Sequence, residues 1–213
     1  METLYKAGIF ILLCFGVGSL PFGYWIPKLF RGVDIRNFGS RNIGSTNVFR
    51  VMGWKGGVAV LLFDLTKGFL PTLVARSLWG LHLSLLAGLA SIGGHIFTPF
   101  LGFKGGKGVA TGFGSFLAIA PFAVSLSFGV WLLLFFLFRY VSFASLMASL
   151  FLPLFLLVGK GLHLGEYSHE VFILSLVVMG TIFLRHRSNI QKLLRGEENK
   201  FNLNPPQAAQ NAK

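Results

Sequence analysis

Residues 108–138 read GVATGFGSFLAIAPFAVSLSFGVWLLLFFLF, thirty-one positions without one charged side chain. A helix needs roughly 20 residues to cross a hydrocarbon core of about 30 Å. The run is too long for one perpendicular span and too short for two full ones, and Pro121 divides it. It predicts a short helix at 108–119 followed by a longer one at 122–139. Outward from this stretch, further uncharged runs occupy 7–27, 77–103, 140–159 and 171–184, and 56–75 is apolar apart from Asp64 and Lys67. Together they predict an all-α integral membrane protein with about seven transmembrane helices, at 5–27, 56–76, 80–101, 108–119, 122–139, 142–160 and 167–185.

Composition leads to the same class. Of 213 residues, 54% are hydrophobic and only 12% charged, yet the net charge is +12 and the pI about 10.4. An average soluble domain carries about 25% charged residues, and a disordered polyelectrolyte would need low hydrophobicity as well as charge. The single cysteine, Cys14, excludes an intramolecular disulfide framework and a CxxC zinc site. The apolar stretch 7–27 is too long for a signal-peptide core and has no A-x-A cleavage pattern, so a retained first helix is expected.

The charges fall unevenly. Fifteen of the 19 Lys and Arg residues lie in 28–55, in 103–108, at Arg139 and after 184, with only Asp34, Glu197 and Glu198 beside them. With seven crossings these segments share one side, and the positive-inside rule makes that side cytoplasmic, with the N-terminus outside and the C-terminus in the cytoplasm. Elsewhere Lys6, Lys67, Arg76 and Lys160 balance Glu2, Asp64, Glu166 and Glu170. The whole excess therefore belongs to one face. Residues 1–195 form a single polytopic membrane domain on this reading, and 196–213 a flexible cytoplasmic tail. Orientation, or contact with anionic lipid headgroups, would by itself account for such a basic face.

Two glycine-rich loops on that face carry more information. The first, Asn37-Phe38-Gly39-Ser40-Arg41-Asn42-Ile43-Gly44-Ser45-Thr46-Asn47-Val48-Phe49-Arg50, is dense in small residues that permit close backbone approach. Ser40, Asn42 and Asn47 supply short donors, and Arg50 can fork onto an oxyanion. A solvated, capped turn is the plainer alternative. In the second, Gly102-Phe103-Lys104-Gly105-Gly106-Lys107-Gly108, glycine amides beside lysines at the start of a helix suit a phosphate. A Walker A motif would need Gly at 101 and Ser or Thr at 108, where the chain has Leu101 and Gly108, so ATP hydrolysis is not supported.

Smaller features lie around these loops. Ser142 and Ser145 follow Arg139 at a helix entrance, where capping competes with substrate contact. Arg185-His186-Arg187-Ser188-Asn189 follows the last segment. Asp64 and Lys67, three apart in an apolar helix, are expected to pair inside the bundle, and His95 either packs in the core or lines a cavity. No metal-ligand spacing is present and acidic residues are scarce, so neither metal nor cofactor is expected.

Gly39-Ser40-x-Asn42-x-Gly44-Ser45-Thr46-Asn47 with Arg50, Phe63-Asp64-Leu65-x-Lys67-Gly68, Gly94-His95 leading into Phe103-Lys104-Gly105-Gly106-Lys107-Gly108, and Arg185-His186-Arg187-x-Asn189 resemble, in order, the PlsY family of bacterial membrane glycerol-3-phosphate acyltransferases. The resemblance covers about Gly18 to Asn189. It implies transfer of an acyl group from acyl phosphate to sn-glycerol 3-phosphate, giving 1-acylglycerol 3-phosphate (lysophosphatidic acid) and phosphate, at the bacterial inner membrane in phospholipid biosynthesis. It places Lys107, His186, Arg50 and Asn189 at the reaction and Ser40, Gly105, Gly106, Gly108 and either Ser142 or Ser145 around the substrates, and the loop composition adds Asn42, Asn47 and Lys104 to the substrate-binding set.

The residues suit that reaction. Both substrates carry phosphate, and none of the five histidines is followed five positions later by Asp, so the H-x4-D motif of other glycerolipid acyltransferases is missing. Direct attack by the glycerol hydroxyl is expected, without an acyl-enzyme. The proton goes to the donor phosphate or to His186, and which loop holds which phosphate stays open. A transporter of a phosphorylated metabolite would explain the Asp64/Lys67 pair and the basic mouth, but wants its site near the midplane. A CDP-alcohol phosphotransferase needs several acidic metal ligands on its membrane helices. The partners expected are the two small substrates and membrane lipid, and not nucleic acid, because the basic residues are dispersed among membrane loops.

Overall fold

The structure, a computed structural model, describes residues 2–164 and 168–202, with side chains from residue 5 onward. Glu166 and residues 203–213 of the expected tail lie outside the described residues. The regular elements of the described chain are all helices: α1 (Glu2–Ser19), α2 (Phe22–Arg31), α3 (Ser45–Met52), α4 (Trp54–Trp79), α5 (Leu81–Ile96), α6 (Val109–Ile119), α7 (Pro121–Phe138), α8 (Val141–Gly161), α9 (His169–Arg185) and α10 (Arg187–Leu194). Short 3₁₀ turns occupy Ile35–Asn37 and Pro99–Leu101.

Among the described residues four stretches are long and apolar enough to cross a bilayer alone: Trp54–Trp79, Leu81–Leu101, Pro121–Phe138 and Val141–Gly161. The number rises to six if α1 with α2, and α9 with α10, each form one broken span. The expected segment 108–119 is α6, whose 11 residues cover only about 16 Å at 1.5 Å each. The outer faces suit lipid: Leu133, Phe136 and Leu137 on α7 are 59%, 66% and 64% exposed. Facing water, a surface of that kind would be a site of association.

Prolines set the breaks. The single helix expected at 5–27 is two, because Pro21 offers no amide to α1, and α2 leaves at 42°. Helix α2 closes on Gly32, whose φ of +66° suits the left-handed cap. The helix expected to reach residue 101 stops at Ile96, since Thr98-Pro99 cannot continue it. Pro121 separates α6 from α7 as its position predicts.

Glycine lets the backbones of α4 and α6 nearly touch. A Cβ on Gly68 would collide with the Thr111 carbonyl oxygen, and one on Gly114 with that of Leu65. Without a hydrophobic drive between helices in lipid, close contact of this kind holds spans together. The far end of α6 stops inside the protein, and Arg76 of α4 donates to the Ile119 carbonyl at 2.9 Å, satisfying an otherwise orphaned acceptor. The main core joins Ile92 and Ile96 of α5, Phe116 and Ile119 of α6, Leu152 and Leu156 of α8 and Val178 and Ile182 of α9. A smaller core of Ile35, Ile43, Val48 and Val60 fastens the first glycine-rich loop to α4.

Buried in α4, Asp64 and Lys67 pair at 2.7 Å as expected. The Lys67 ammonium also donates to the Leu20 carbonyl at 2.9 Å, at the break between α1 and α2. Replacing Gly114 by Leu should separate α4 from α6 and destabilise the protein by about 1–3 kcal/mol or more, the cost of overpacking. Gly129, with open space around the position of a Cβ, should accept Ala without effect. Thermal unfolding of the two purified variants in detergent checks this.

Candidate active site

The first loop is organised from within. Asn47, in the first turn of α3 and 1% exposed, accepts from the Ser40 amide at 2.9 Å. Its amide group donates to the carbonyls of Ile35, Phe38 and Asn42 at 3.3, 3.0 and 2.9 Å. Gly39, at φ +56°, brings its backbone against the Asn47 side chain where a Cβ would not fit. Asn42 accepts from the Gly44 amide at 2.9 Å. Asn42 and Asn47, expected beside a substrate, thus direct these bonds at their own loop. They hold Ser40 exposed at its tip and Arg50 one turn along α3.

The second loop is clamped from two sides. Gly105 and Gly106 donate their amides to the carbonyls of Ile96 and His95, each at 3.0 Å. From the opposite side Arg185 donates to the carbonyls of Gly106 and Gly105 at 3.3 and 3.1 Å. Two amides of the glycine run are therefore already used, and an incoming anion would meet those of Lys107 and Gly108 at the start of α6. Gly108 sits at φ +85° and turns the chain into that helix. Lys104 is exposed, whereas Gly105 and Gly106 are buried.

The four basic segments converge at this end of the bundle. Lys107 donates to the Asn189 side-chain oxygen at 2.6 Å. Asn189 donates onward to Glu198 at 2.8 Å, and Ser142 donates to the same carboxylate oxygen at 2.7 Å. Arg50 donates to the Asn199 carbonyl at 3.2 Å. The Ser145 hydroxyl is engaged elsewhere, donating to the Val141 carbonyl at 2.8 Å and accepting from Trp131 at 3.1 Å. Of the two serines, Ser142 is the one that faces the cluster.

His186, 3% exposed, lies at the joint where α10 turns 62° away from α9. Its Nδ1 is 2.9 Å from the Ile182 carbonyl, which makes Nδ1 the protonated nitrogen of the neutral ring and leaves Nε2 as acceptor. Burial and the nearby Lys107 charge push its pKa down to about 4. Burial likewise pushes Lys107 down to about 8; Glu198 counteracts this, while Arg50, Arg185 and Lys192 add to it. The site is an electropositive cluster whose cations repel one another.

Glu198 escaped the sequence reading as a site residue because it falls in the stretch 196–213 expected to be a flexible tail. The signal available was a carboxylate among basic residues on a face otherwise nearly free of acid. Of the expected tail, 196–202 lies across the site: the Phe201 amide donates to the Arg139 carbonyl at 2.7 Å, and its ring packs between Phe49 and Phe135 at 4.6 and 5.4 Å. Among the described residues no three His, Cys, Asp or Glu side chains are grouped to hold a metal ion.

The glycerol-3-phosphate acyltransferase family model matches residues 8–196. A glycerol-3-phosphate acyltransferase of Aquifex aeolicus is 44% identical over 198 residues, covering 92% of this chain and all of the relative. One from Fusobacterium nucleatum is 42% identical over 193 residues, 90% of this chain and 96% of the relative. Among solved structures, the crystal structure of the integral membrane glycerol 3-phosphate acyltransferase PlsY (YgiH) in its glycerol 3-phosphate form superposes with a TM-score of 0.86. It shares 43% identity and covers 92% of this chain and 96% of its own. The lysophosphatidic acid form gives 0.84 at 42% identity, with 93% and 96% covered. With its apolar spans and the cluster of Arg50, Lys107, Ser142 and Asn189, this chain belongs to the glycerol-3-phosphate acyltransferase family, as a multi-pass membrane enzyme.

Proposed function

We propose that this enzyme transfers an acyl group from acyl phosphate to sn-glycerol 3-phosphate, releasing phosphate and 1-acylglycerol 3-phosphate for phospholipid biosynthesis. The observation that supports the reading is the convergence of Arg50, Lys107, Ser142 and Asn189, from four separate stretches of chain, on one basic cluster. Acyl phosphate is an activated donor that is itself anionic, so both substrates enter the same cationic field. The bacterial inner membrane is the setting, with the N-terminus outside, the site on the cytoplasmic side, and α6 as the short member of seven segments.

In this mechanism the glycerol hydroxyl attacks the acyl carbonyl carbon directly, and the bond to the phosphate oxygen breaks as the ester forms. Lys107 and Arg50 hold the phosphates and neutralise charge that develops on the leaving group. The chain's one thiol supports direct transfer, since Cys14 is buried in α1 against Ala75 and Ala87, away from the cluster. The attacking hydroxyl loses its proton as the phosphate leaves. A His186 ring with a pKa of about 4 is a weak base at neutral pH, whereas the phosphate released as the acyl bond breaks gains basicity, a phosphate dianion taking up a proton at roughly pH 6 or above. The departing phosphate is the better acceptor, and His186 orients the substrates through Nε2.

Purified protein given acyl phosphate and glycerol 3-phosphate should release phosphate without added metal or carrier protein; no release overturns the proposal. Lys107→Ala and Arg50→Ala should each lower kcat/KM by about 10²-fold or more, the scale of losing a preorganised charged group. His186→Gln should keep more than about a tenth of the wild-type kcat at saturating substrate. A loss of about 10²–10⁴-fold in folded protein would return the base to His186. Because Lys107 binds as a cation, kcat/KM should fall as pH rises through about 8. Bound phosphate favours the charged form, so kcat should fall at a higher pH, and Lys107→Arg should remove this limb from both profiles.

A further inference from the structure

The proposed mechanism leaves a buried polar group unused. Asp64, Lys67 and His95 are 3%, 4% and 5% exposed, inside the apolar bundle and beneath the second loop. Ionisable groups at such depth are costly, and those that persist commonly serve a function. Lys67 is fully engaged, with Asp64 at 2.7 Å, the Leu20 carbonyl at 2.9 Å and the Phe22 ring 5.9 Å from its ammonium. Its contacts fix Asp64 relative to the break between α1 and α2.

The next link points at the active site. His95 Nδ1 is 3.6 Å from Asp64 Oδ1, too far for a hydrogen bond, and it is a buried nitrogen with no partner. The Asp64 carboxylate is the charged group that faces this edge of the ring. The other edge of the ring already meets the loop: Nε2 and Cε1 occupy the space where a side chain on Gly106 would begin. The His95 carbonyl accepts the Gly106 amide at 3.0 Å. Gly106 immediately precedes Lys107, so the ring and carbonyl of one residue set the height and direction at which the lysine leaves the loop.

We propose that His95 is a positioning residue for Lys107, acting through Gly106, with its ring orientation set by Asp64 and, through Lys67, by the break in the first span. The chain Leu20, Lys67, Asp64, His95, Gly106 joins a bend among the membrane helices to the anion site. It assigns a purpose to the charges in α4 that pairing alone does not, since a well-packed apolar pair would hold those helices at least as well. A shift of about 1 Å in a substrate-holding group is enough to cost about 10²-fold in rate.

The role rests on Lys107 as an anion-binding group and not on the identity of the acyl donor, so binding of glycerol 3-phosphate alone provides the test. Calorimetry in detergent on the full chain compares wild type, His95→Ala, Lys107→Ala and the double variant. His95→Ala should weaken binding about tenfold or more. The double variant should bind no more than about threefold worse than Lys107→Ala, because a residue acting through Lys107 has nothing left to position. Unchanged binding in His95→Ala, or penalties that multiply in the double variant, would overturn the proposal. If His95→Ala does not fold, His95→Gln replaces it in the same cycle with the same criteria. Asp64→Asn/Lys67→Met, which removes both charges together, should weaken binding by threefold or more while the thermal transition persists; wild-type affinity would remove Asp64 from the chain of contacts. A protein that binds glycerol 3-phosphate as described but releases no phosphate from acyl phosphate would refute the donor assignment and leave the His95 role standing.

Discussion

Arg185 gripping the carbonyls of Gly105 and Gly106, while the end of α5 receives their amides, is the constraint on which the site depends. A loop of small residues at a membrane surface has few side chains with which to hold a shape. Here its backbone is bonded on both edges, by helices that pack against each other through Ile92, Val178 and Ile182. The clamp turns a flexible sequence into a fixed platform, and Lys107 projects from it toward Asn189. The cost is electrostatic, because Arg185 brings a further cation beside Lys107 and Arg50. Glu198 offsets that repulsion, which gives the C-terminal stretch a place in the site.

Much of the architecture was legible because the bilayer imposes simple rules. Uncharged runs of about 20 residues, a proline dividing 108–138 and a one-sided distribution of Lys and Arg mark helices, a break and a face. Pro21 showed the limit of that reading, since hydropathy is continuous across it and only the missing amide reveals the bend. The length of α6 was legible, but its ending inside the bundle was not, because Arg76 reaches the Ile119 carbonyl from a helix more than forty residues earlier.

The site was legible as chemistry and less so as geometry. Residue type nominated Arg50 and Lys107, and the family resemblance added Asn189; the three do come together. It also nominated Asn47, whose amide suits a ligand as well as it suits three loop carbonyls; only burial separates the two uses. Ser142 and Ser145 lie three apart and both fall on buried positions of α8, so spacing could not choose between them. The Trp131 indole engages Ser145, leaving Ser142 to Glu198.

The strap formed by residues 196–202 also has a consequence in time. Arg50 enters the membrane surface early in synthesis and Lys107 midway, but the carboxylate joining Ser142 to Asn189 belongs to residue 198, after every membrane segment. A nascent chain can insert all its helices while this network is still incomplete. Phe201, packing between α3 and α7, closes the network from the far end of the sequence. The network joining Ser142 to Asn189 therefore needs a residue that is made after all the helices it bridges.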